Sequence, residues 1–288
     1  MTGTLQPSAG LDLDDLARVV AVALEEDLRY GPDATTAATV PADLVATGSF
    51  AARTGGVLAG VPVARAVLDT VVGDYEVLTQ RSDGDRLAAG EAGLVVRAPV
   101  RGLLTAERTA LNLLCHLSGV ATATAAWVDA VAGTGARIRD TRKTLPGLRL
   151  LEKYAVRCGG GVNHRMGLGD AVLIKDNHVA AAGSVSAALA ATRAHAPDLP
   201  CEVEVDSLDQ LDEVLALDAE LVLLDNFTVA DTAEAVRRRG SLPTRLESSG
   251  GLTLAVARAY AETGVDFLSV GGLTHSVTAL DLGLDLTT

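Results

Sequence analysis

The chain has 288 residues, of which 48% are hydrophobic, and a formal net charge of −13 at pH 7. This length and apolar content suit one large or two ordinary globular domains. The acidic balance argues against nucleic acid and anionic membranes as partners, because both bind net positive surfaces.

The cysteines and the N-terminal residues indicate the compartment. Cys115, Cys158 and Cys201 are an odd set without CxxC spacing, which is typical of a reducing cytosol and of neither a zinc site nor a disulfide framework. The first residues lack the basic region of a signal peptide, and no apolar run approaches the roughly 20 residues of a membrane span. We therefore expect a cytoplasmic protein without a membrane partner.

The first 117 residues predict a small α+β domain. Residues 11–28 carry apolar side chains at helical spacing, with Asp12 or Asp14 available as the N-cap. Short strand-like runs, separated by Gly and Pro, follow at 46–52, 55–63, 75–80 and 93–100. A long helix is predicted over 103–131, and the domain boundary is placed near residue 117.

From residue 137 onward, strand-like and helix-like segments alternate. The strand-like runs start near residues 137, 170, 201, 219, 244 and 265. Such alternation favours a parallel sheet, because parallel neighbours need a crossover connection. A barrel is preferred to a doubly wound sheet, since each run ends in chemically useful side chains. With about six units the barrel is expected to be incomplete, spanning 118–275, while the tail 276–288 packs back on the first domain.

One stretch of this acidic chain is strongly basic. Residues 137–175 hold nine Lys or Arg against three Asp or Glu, including all three lysines, Lys143, Lys153 and Lys175. The charges alternate with glycines and a His-Arg pair and do not follow a helical repeat. A cleft lined by one sign of charge concentrates ligands of the opposite sign, so we interpret the stretch as part of an anion site. A solvated basic helix face is the alternative.

Two consecutive predicted strands end in carboxylates. In CEVEVDS the acidic side chains share one strand face, because side chains alternate along a strand: Glu202, Glu204 and Asp206. The next strand ends at Asp225. Glu204 and Asp225 together suit Mg²⁺, which takes a few protein oxygens and fills the remaining positions with water and substrate phosphate. Alternatively, Glu204 forms an ion pair with Lys175 or Arg142.

Glycine pairs follow the last two predicted strands, in SSGG at 248–251 and in GG at 271–272. Glycine lets backbone N–H groups approach a phosphate, so the pairs predict a phosphate site, although ordinary turns have the same pattern. His275 could donate to that site. The same end of the sheet collects cations suited to carboxylates and phosphates, namely Arg142, Lys143, His164, Arg165 and Lys175. His116 is expected to be a core residue and His195 a surface residue.

Several motifs together resemble one family over nearly the whole chain. They are EDLRYGPDATT, ERTALNLLCHLSGVAT, DTRKTLPGLRLLEKYAVRCGGGVNHRMGLGDAVLIKDNH, EVEV, LDNF, ESSGG and SVGGLTH. The family is that of the carboxylating nicotinate-nucleotide pyrophosphorylases, or quinolinate phosphoribosyltransferases. The resemblance implies a type II phosphoribosyltransferase fold, in which an α/β sandwich domain accompanies an incomplete α/β barrel. It also implies a homodimer with shared active sites, and higher oligomers stay open.

The resemblance also implies residue roles. The quinolinate carboxylates would be held by Arg142, His164, Arg165 and Lys175, with Arg108 supplied by the partner. Phosphoribosyl pyrophosphate would be bound by Thr141, Lys143, Ser249, Gly250, Gly271, Gly272 and His275. Its ribose hydroxyls and Mg²⁺ would be bound by Glu204 and Asp225. Lys143, Lys175, Glu204 and Asp225 are the expected catalytic residues.

Three alternatives stay open from the sequence. One is a paralogue of the same fold with another substrate, which the full set of cations disfavours. Another is a Schiff-base barrel aldolase that uses Lys175, because a lysine at the end of a barrel strand suits that chemistry. The third is an anion-binding module without turnover.

Overall fold

The computed structural model describes residues 10–287, which form two compact units. The first unit comprises the chain up to Ala125, Thr144–Gly160 and the segment from Leu273 onward. The second comprises Ala126–Lys143 and Gly161–Gly272. The domain boundary predicted near residue 117 stays a prediction; in the structure, Thr144–Gly160 also belongs to the first unit.

Residues 10–130 form four helices and five short strands. In chain order they are α1 (Leu13–Leu28), α2 (Ala34–Thr39), β1 (Val45–Ala52), β2 (Gly56–Val57), α3 (Val61–Val71), β3 (Glu76–Gln80), β4 (Arg86–Leu87), β5 (Ala92–Pro99) and α4 (Val100–Ala130). The N-cap of α1 is Asp12, whose carboxylate accepts the N–H of Asp15. The predicted first helix is thus present with one of its two predicted caps.

Most of the remaining chain repeats a strand followed by a helix. The elements are β6 (Arg137–Arg139), α5 (Arg149–Cys158), β7 (Val172–Ile174), α6 (Asp176–Ala182), α7 (Val185–His195), β8 (Cys201–Val205), α8 (Leu208–Ala216), β9 (Leu221–Asp225), α9 (Val229–Arg239), β10 (Arg245–Ser249), α10 (Leu254–Ala261), β11 (Phe267–Ser269), α11 (Gly272–His275) and β12 (Leu282–Thr287).

The first unit is built on a four-stranded sheet in the order β12-β1-β5-β3, with every neighbouring pair antiparallel. Phe50 on β1 lies opposite Leu94 on β5 and Leu284 on β12. Phe50 and Leu94 are fully buried. The C-terminal strand therefore completes the sheet that the N-terminal part of the chain begins.

The strand-like run 55–63 is mostly not a strand, contrary to the sequence prediction. Only β2 pairs, with β4, and α3 begins at Val61. Gly60 has a φ of 101°, and Pro62 lies in the first turn of α3, where a missing N–H costs nothing. The half-buried carboxylate of Asp83 accepts the N–H groups of Gly60 and Val61. Together these features outweigh the β propensity of the valines.

Helix α4 lies close to the helix predicted over 103–131, but it is more apolar than expected. By length and composition alone its 31 residues could cross a membrane, contrary to the expectation that no run is long enough. However, 61% of its most apolar window is buried inside the protein. Burial of this kind is typical of the core helix of a globular protein.

The second unit contains a six-stranded, entirely parallel sheet in the order β6-β11-β10-β9-β8-β7. Its two edge strands, β6 and β7, do not pair with each other within the described residues. A parallel bridge joins Arg139 to Val162 at the free edge of β6. The sheet is therefore open, as the count of about six units predicted.

The basic stretch is partly helical, contrary to the sequence prediction. Helix α5 belongs to the first unit, and its Glu152 and Lys153 are fully buried. Glu152 accepts the N–H of Leu145, and its other oxygen lies 2.8 Å from His116 Nε2. The cations of this stretch are consequently divided between the two units, and His116 has the hydrogen bond that was expected of a core residue.

Candidate functional site

The site is built at the carboxyl ends of the six parallel strands. The sequence-predicted residues of the second unit lie in or directly after these strands: Thr141, Arg142 and Lys143 after β6, Lys175 after β7, Glu204 near the end of β8, Asp225 in β9, Ser249 and Gly250 at the end of β10, and Gly271 and Gly272 after β11. Strand ends on one side of a parallel sheet are neighbours, and enzymes with barrels use this side for chemistry.

Two of the predicted phosphate-binding positions lie side by side. A Cβ added to Gly271 would lie 3.0 Å from Lys143 Cδ and 3.7 Å from Thr141 Oγ1. The hydroxyl of Thr141 accepts the N–H of Lys143 and so fixes the turn after β6. β6 and β11 are paired, which explains the proximity. Lys143 is exposed.

A second group lies at the ends of β9 and β10. Ser249 is the register partner of Asp225, and its carbonyl accepts the N–H of Asn226 at 2.9 Å. Asn226 donates its side-chain amide to Asp225 Oδ2 at 2.7 Å. Gly250 follows with a φ of 90°, a conformation that favours glycine. This contact holds the Asp225 carboxylate beside the glycine turn.

Lys175 and Glu204 form an ion pair. The Lys175 ammonium group donates a hydrogen bond to Glu204 Oε2. Glu204 also lines a cavity of about 400 Å³ at the ends of β8 and β9. Five carboxylates line this cavity, those of Asp176, Glu204, Asp206, Glu213 and Asp225. A cation is the ligand that such a lining suits.

Arg142 and Arg165 carry unused hydrogen-bond donors. The Nε–H of each is buried and has no partner among residues 10–287. Burial lowers the pKa of Arg165, and the neighbouring charge of Arg142 lowers it further. One end of the Arg165 guanidinium is fixed by donation to the carbonyl of Ala171 at 3.1 Å. Two close cations with buried, unpaired donors form a site for an anion.

His164 is buried and contacts the backbone of Arg165. Its Nδ1 accepts the backbone N–H of Arg165 at 2.7 Å, and its Nε2 lies 2.8 Å from Glu202 Oε2. Its own backbone N–H donates to Asp140, which is fully buried. Both ring nitrogens therefore have protein partners. A direct contact between His164 and quinolinate stays a prediction.

Two predicted site residues, Arg108 and His275, belong to the first unit. Arg108 is exposed on α4, and His275 is exposed at the end of α11, where Nδ1 lies 2.6 Å from the Ser276 hydroxyl. Their roles stay predictions. His195 is exposed at the end of α7, as predicted for a surface residue.

Three residues of this region were not predicted as site residues from the sequence: Arg139, Glu247 and Asn226. Arg139 donates to Glu247, a fully buried acid on β10, and its guanidinium lies 4.9 Å from the Phe267 ring centroid. A signal was available, because alternation along RLESS places Glu247 on the same strand face as Ser249. Nothing in the sequence indicated that Arg139 and Glu247 meet.

Family models cover almost the whole described chain. The model of the quinolinate phosphoribosyl transferase N-terminal domain matches residues 33–118, and the model of the C-terminal domain matches residues 120–285. The chain belongs to the quinolinate phosphoribosyl transferase family. Its type II phosphoribosyltransferase architecture, an α/β sandwich domain and an open α/β barrel, is thereby confirmed.

Individual relatives agree with this assignment. The nicotinate-nucleotide pyrophosphorylase [carboxylating] of Mycobacterium leprae is 66% identical over 277 residues, covering 94% of this chain and 98% of that protein. The solved nicotinate-nucleotide pyrophosphorylase of Francisella tularensis superposes with a TM-score of 0.91 at 38% identity, covering 96% and 97% of the two chains. The solved structure of NadC from Streptococcus pyogenes superposes with a TM-score of 0.91 at 40% identity, covering 98% of this chain and 100% of that chain.

Proposed function

We propose that this chain transfers the phosphoribosyl group of phosphoribosyl pyrophosphate to quinolinate with loss of CO₂, giving nicotinate mononucleotide and pyrophosphate in NAD biosynthesis. The assignment of quinolinate as the substrate rests on Arg142 and Arg165, whose buried Nε–H groups lack partners within residues 10–287. Quinolinate is a dianion and supplies carboxylate oxygens for such donors. The names of the relatives, including the quinolinate phosphoribosyltransferase [decarboxylating] 1b of Nicotiana tabacum, support the same reaction.

The chemistry needs fixed charge more than acid or base catalysis. Departure of pyrophosphate from the anomeric carbon leaves an oxocarbenium-like centre and a highly charged leaving group, which fixed cations such as Lys143 stabilise. The quinolinate nitrogen takes the anomeric carbon and becomes a pyridinium. The adjacent positive nitrogen stabilises the electron pair left on C2 when CO₂ departs, and C2 then takes a proton from water, so decarboxylation requires no further cofactor.

We propose Mg²⁺ as the metal, held by Glu204 and Asp225. The fit rests on the donor set, since these two carboxylates line one cavity with three further acids and are at most half-buried. Bound there, Mg²⁺ would neutralise charge on the pyrophosphate. Release of Lys175 from Glu204 would free the carboxylate for the metal and the ammonium group for quinolinate.

Assembly and location belong to the same proposal. We propose a cytoplasmic homodimer with shared active sites, in which the exposed Arg108 of one subunit reaches the quinolinate site of the other. The net charge of −13 supports the absence of nucleic acid and membrane partners. An aldolase that uses Lys175 is not favoured, because a Schiff-base lysine has to be neutral and Lys175 pairs with a carboxylate.

The decisive test of the substrate compares quinolinate with nicotinate, which lacks the C2 carboxylate. Nicotinate would leave buried cations unpaired, and sites built for a polar partner discriminate by about 10⁴ or more against analogues lacking it. Release of CO₂ and mononucleotide is followed with phosphoribosyl pyrophosphate and Mg²⁺. Equal kcat/KM for the two acids would overturn the proposal.

The metal assignment is tested by Glu204→Gln and Asp225→Asn. Each is expected to raise the Mg²⁺ concentration for half-maximal activity and the KM for phosphoribosyl pyrophosphate, because a direct oxygen ligand becomes a neutral amide. Asp206→Asn is the matched control, since Asp206 lines the same cavity and is exposed. If all three variants have the wild-type Mg²⁺ curve, the metal is bound elsewhere.

A further inference from the structure

The interior of the parallel sheet contains a charged cluster where barrels usually place aliphatic layers. Arg139, Glu202 and Glu247 come from β6, β8 and β10, and Ser269 comes from β11. Arg139 and Ser269 both donate to Glu247, and Arg139 Nη1 lies 4.0 Å from Glu202. Both acids are almost wholly buried. Buried charges are costly, so this cluster calls for a functional explanation.

The hydrogen bonds assign the protonation of His164, which connects the cluster to the site. The backbone N–H of Arg165 can only donate, so His164 Nδ1 accepts and carries no proton. Nε2 therefore carries the proton and donates to Glu202 at 2.8 Å. The imidazole is neutral, and its orientation is fixed from both sides. A chain of contacts thus runs from Glu202 through the ring to the backbone of Arg165.

A metal ion is a poor alternative for this cluster. His164, Glu202 and Glu247 do offer three ligand atoms within 4.8 Å of one another. However, the Arg139 guanidinium already contacts Glu247 and lies near Glu202. A second cation at this position would be repelled by the first, and imidazole Nε2 would have to lose its proton. The arginine supplies the positive charge that a metal would otherwise bring.

We infer that Glu202 is a positioning residue for the quinolinate site, acting through His164 on Arg165; this role rests on the proposed function. Glu202 accepts from His164 Nε2 and so selects the tautomer whose Nδ1 accepts the Arg165 N–H. The opposite tautomer would place two N–H groups against each other at 2.7 Å. Glu202 thereby holds the segment that presents Arg165, while Arg139 and Ser269 hold Glu247 beside it.

Two substitutions separate the hydrogen bond from the charge. Glu202→Gln keeps an oxygen that accepts from Nε2, whereas Glu202→Leu has a similar volume and no acceptor. Glu202→Leu is expected to raise the KM for quinolinate by about 10- to 100-fold, since a displacement near 1 Å in a binding group has effects of that order. The KM for phosphoribosyl pyrophosphate is expected to change less than threefold. Glu202→Gln is expected to restore the quinolinate KM to within about fivefold of wild type.

A matched control guards against a merely structural effect. Thr244→Val removes another buried hydrogen bond in the same unit, from Thr244 Oγ1 to the Ala219 carbonyl at 2.7 Å, directly before the first residue of β10. It is expected to lower the melting temperature without changing the quinolinate KM. If Thr244→Val and Glu202→Leu raise that KM equally, loss of stability explains both and the inference fails.

A spectroscopic readout is independent of turnover. Long-range ¹H–¹⁵N correlation spectra of histidine-labelled protein distinguish ring tautomers, and the chain has five histidines to assign. His164 is expected to be protonated at Nε2 in wild type and in Glu202→Gln, and to change in Glu202→Leu. A wild-type His164 protonated at Nδ1 would overturn the inference while leaving the proposed function intact. Absence of quinolinate turnover in wild type would instead overturn the proposed function.

Discussion

Alanine substitutions at two adjacent glycines after β10 can separate the cost of backbone strain from the cost of a steric clash of the new Cβ. Gly250 and Gly251 have φ angles of 90° and 59°, so both disfavour a side chain. A Cβ on Gly250 would collide with the Asn226 amide and come within 2.9 Å of the Asn226 backbone nitrogen. A Cβ on Gly251 would meet nothing within 4 Å. We therefore predict different outcomes for Gly250→Ala and Gly251→Ala.

The expected loss of stability follows from these distances. Gly251→Ala costs only the left-handed conformation, about 1–2 kcal/mol. Gly250→Ala has the same cost, and crowding against a backbone atom adds about 1–3 kcal/mol, as overpacked sites do. The free energy of unfolding should therefore fall by about 2–5 kcal/mol in Gly250→Ala.

The two variants should differ more in activity than in stability. Asn226 donates to Asp225 through its side chain and to Ser249 through its backbone, so moving Asn226 displaces the proposed Mg²⁺ ligand. A displacement near 1 Å corresponds to about a 100-fold loss. Gly250→Ala should thus lose about 100-fold in kcat/KM for phosphoribosyl pyrophosphate, and Gly251→Ala less than tenfold.

Denaturant unfolding and steady-state kinetics with quinolinate and Mg²⁺ in excess measure both effects. The reasoning is refuted if the two variants have the same stability and the same kcat/KM. A Gly250→Ala enzyme that is destabilised but fully active would show that Asn226 does not position Asp225.

Two further predictions concern pH and assembly. Burial, followed by the charge of Glu202, raises the pKa of Glu247 to about 7. The contribution of protonated Glu247 to the free energy of unfolding is therefore fully present below pH 4.5, the ordinary pKa of Glu. This contribution, about 3 kcal/mol, is lost as the pH rises through 7. The free energy of unfolding should be lower at pH 8 than at pH 5 by about this amount in wild type and in Glu262→Gln, a control at an exposed acid. Glu247→Gln should lack this difference between the two pH values. If Glu247→Gln shows the wild-type difference, the burial argument is contradicted. In the second prediction, Arg108→Ala and Arg165→Ala are each inactive, and co-expression restores roughly a quarter of wild-type activity, because half of the dimers carry one intact site. Inactive heterodimers, verified by size-exclusion, would show that Arg108 does not serve the partner's site.

The sequence alone was sufficient for the alternating architecture and for the residues at the strand ends. Strand periodicity placed Glu204 and Asp225 on neighbouring strands, and glycine pairs marked the turns beside Ser249 and Lys143. These features are local, because side-chain alternation and turn chemistry depend on a few consecutive residues. The first helix was predicted for the same reason, with Asp12 as one of two candidate caps.

The pattern of polar and β-branched residues led to wrong predictions where a turn or a contact with a distant residue determines the structure. A helix begins between Gly60 and Pro62, in a valine-rich segment that was predicted to be a strand. The helix Arg149–Cys158 buries two charged side chains, which a pattern based on polarity assigns to solvent. Burial of charge depends on partners far along the chain, such as His116 for Glu152.

The interior cluster is the feature that only tertiary structure decided. Arg139 and Glu247 are 108 residues apart in sequence and meet because β6 and β10 flank β11 in the sheet. The sequence identified His164 as a cation near an anion site, whereas the fold makes it a neutral ring between Glu202 and Arg165. Charge state and tautomer are set by neighbours, and neighbours are set by strand order, which no local pattern contains.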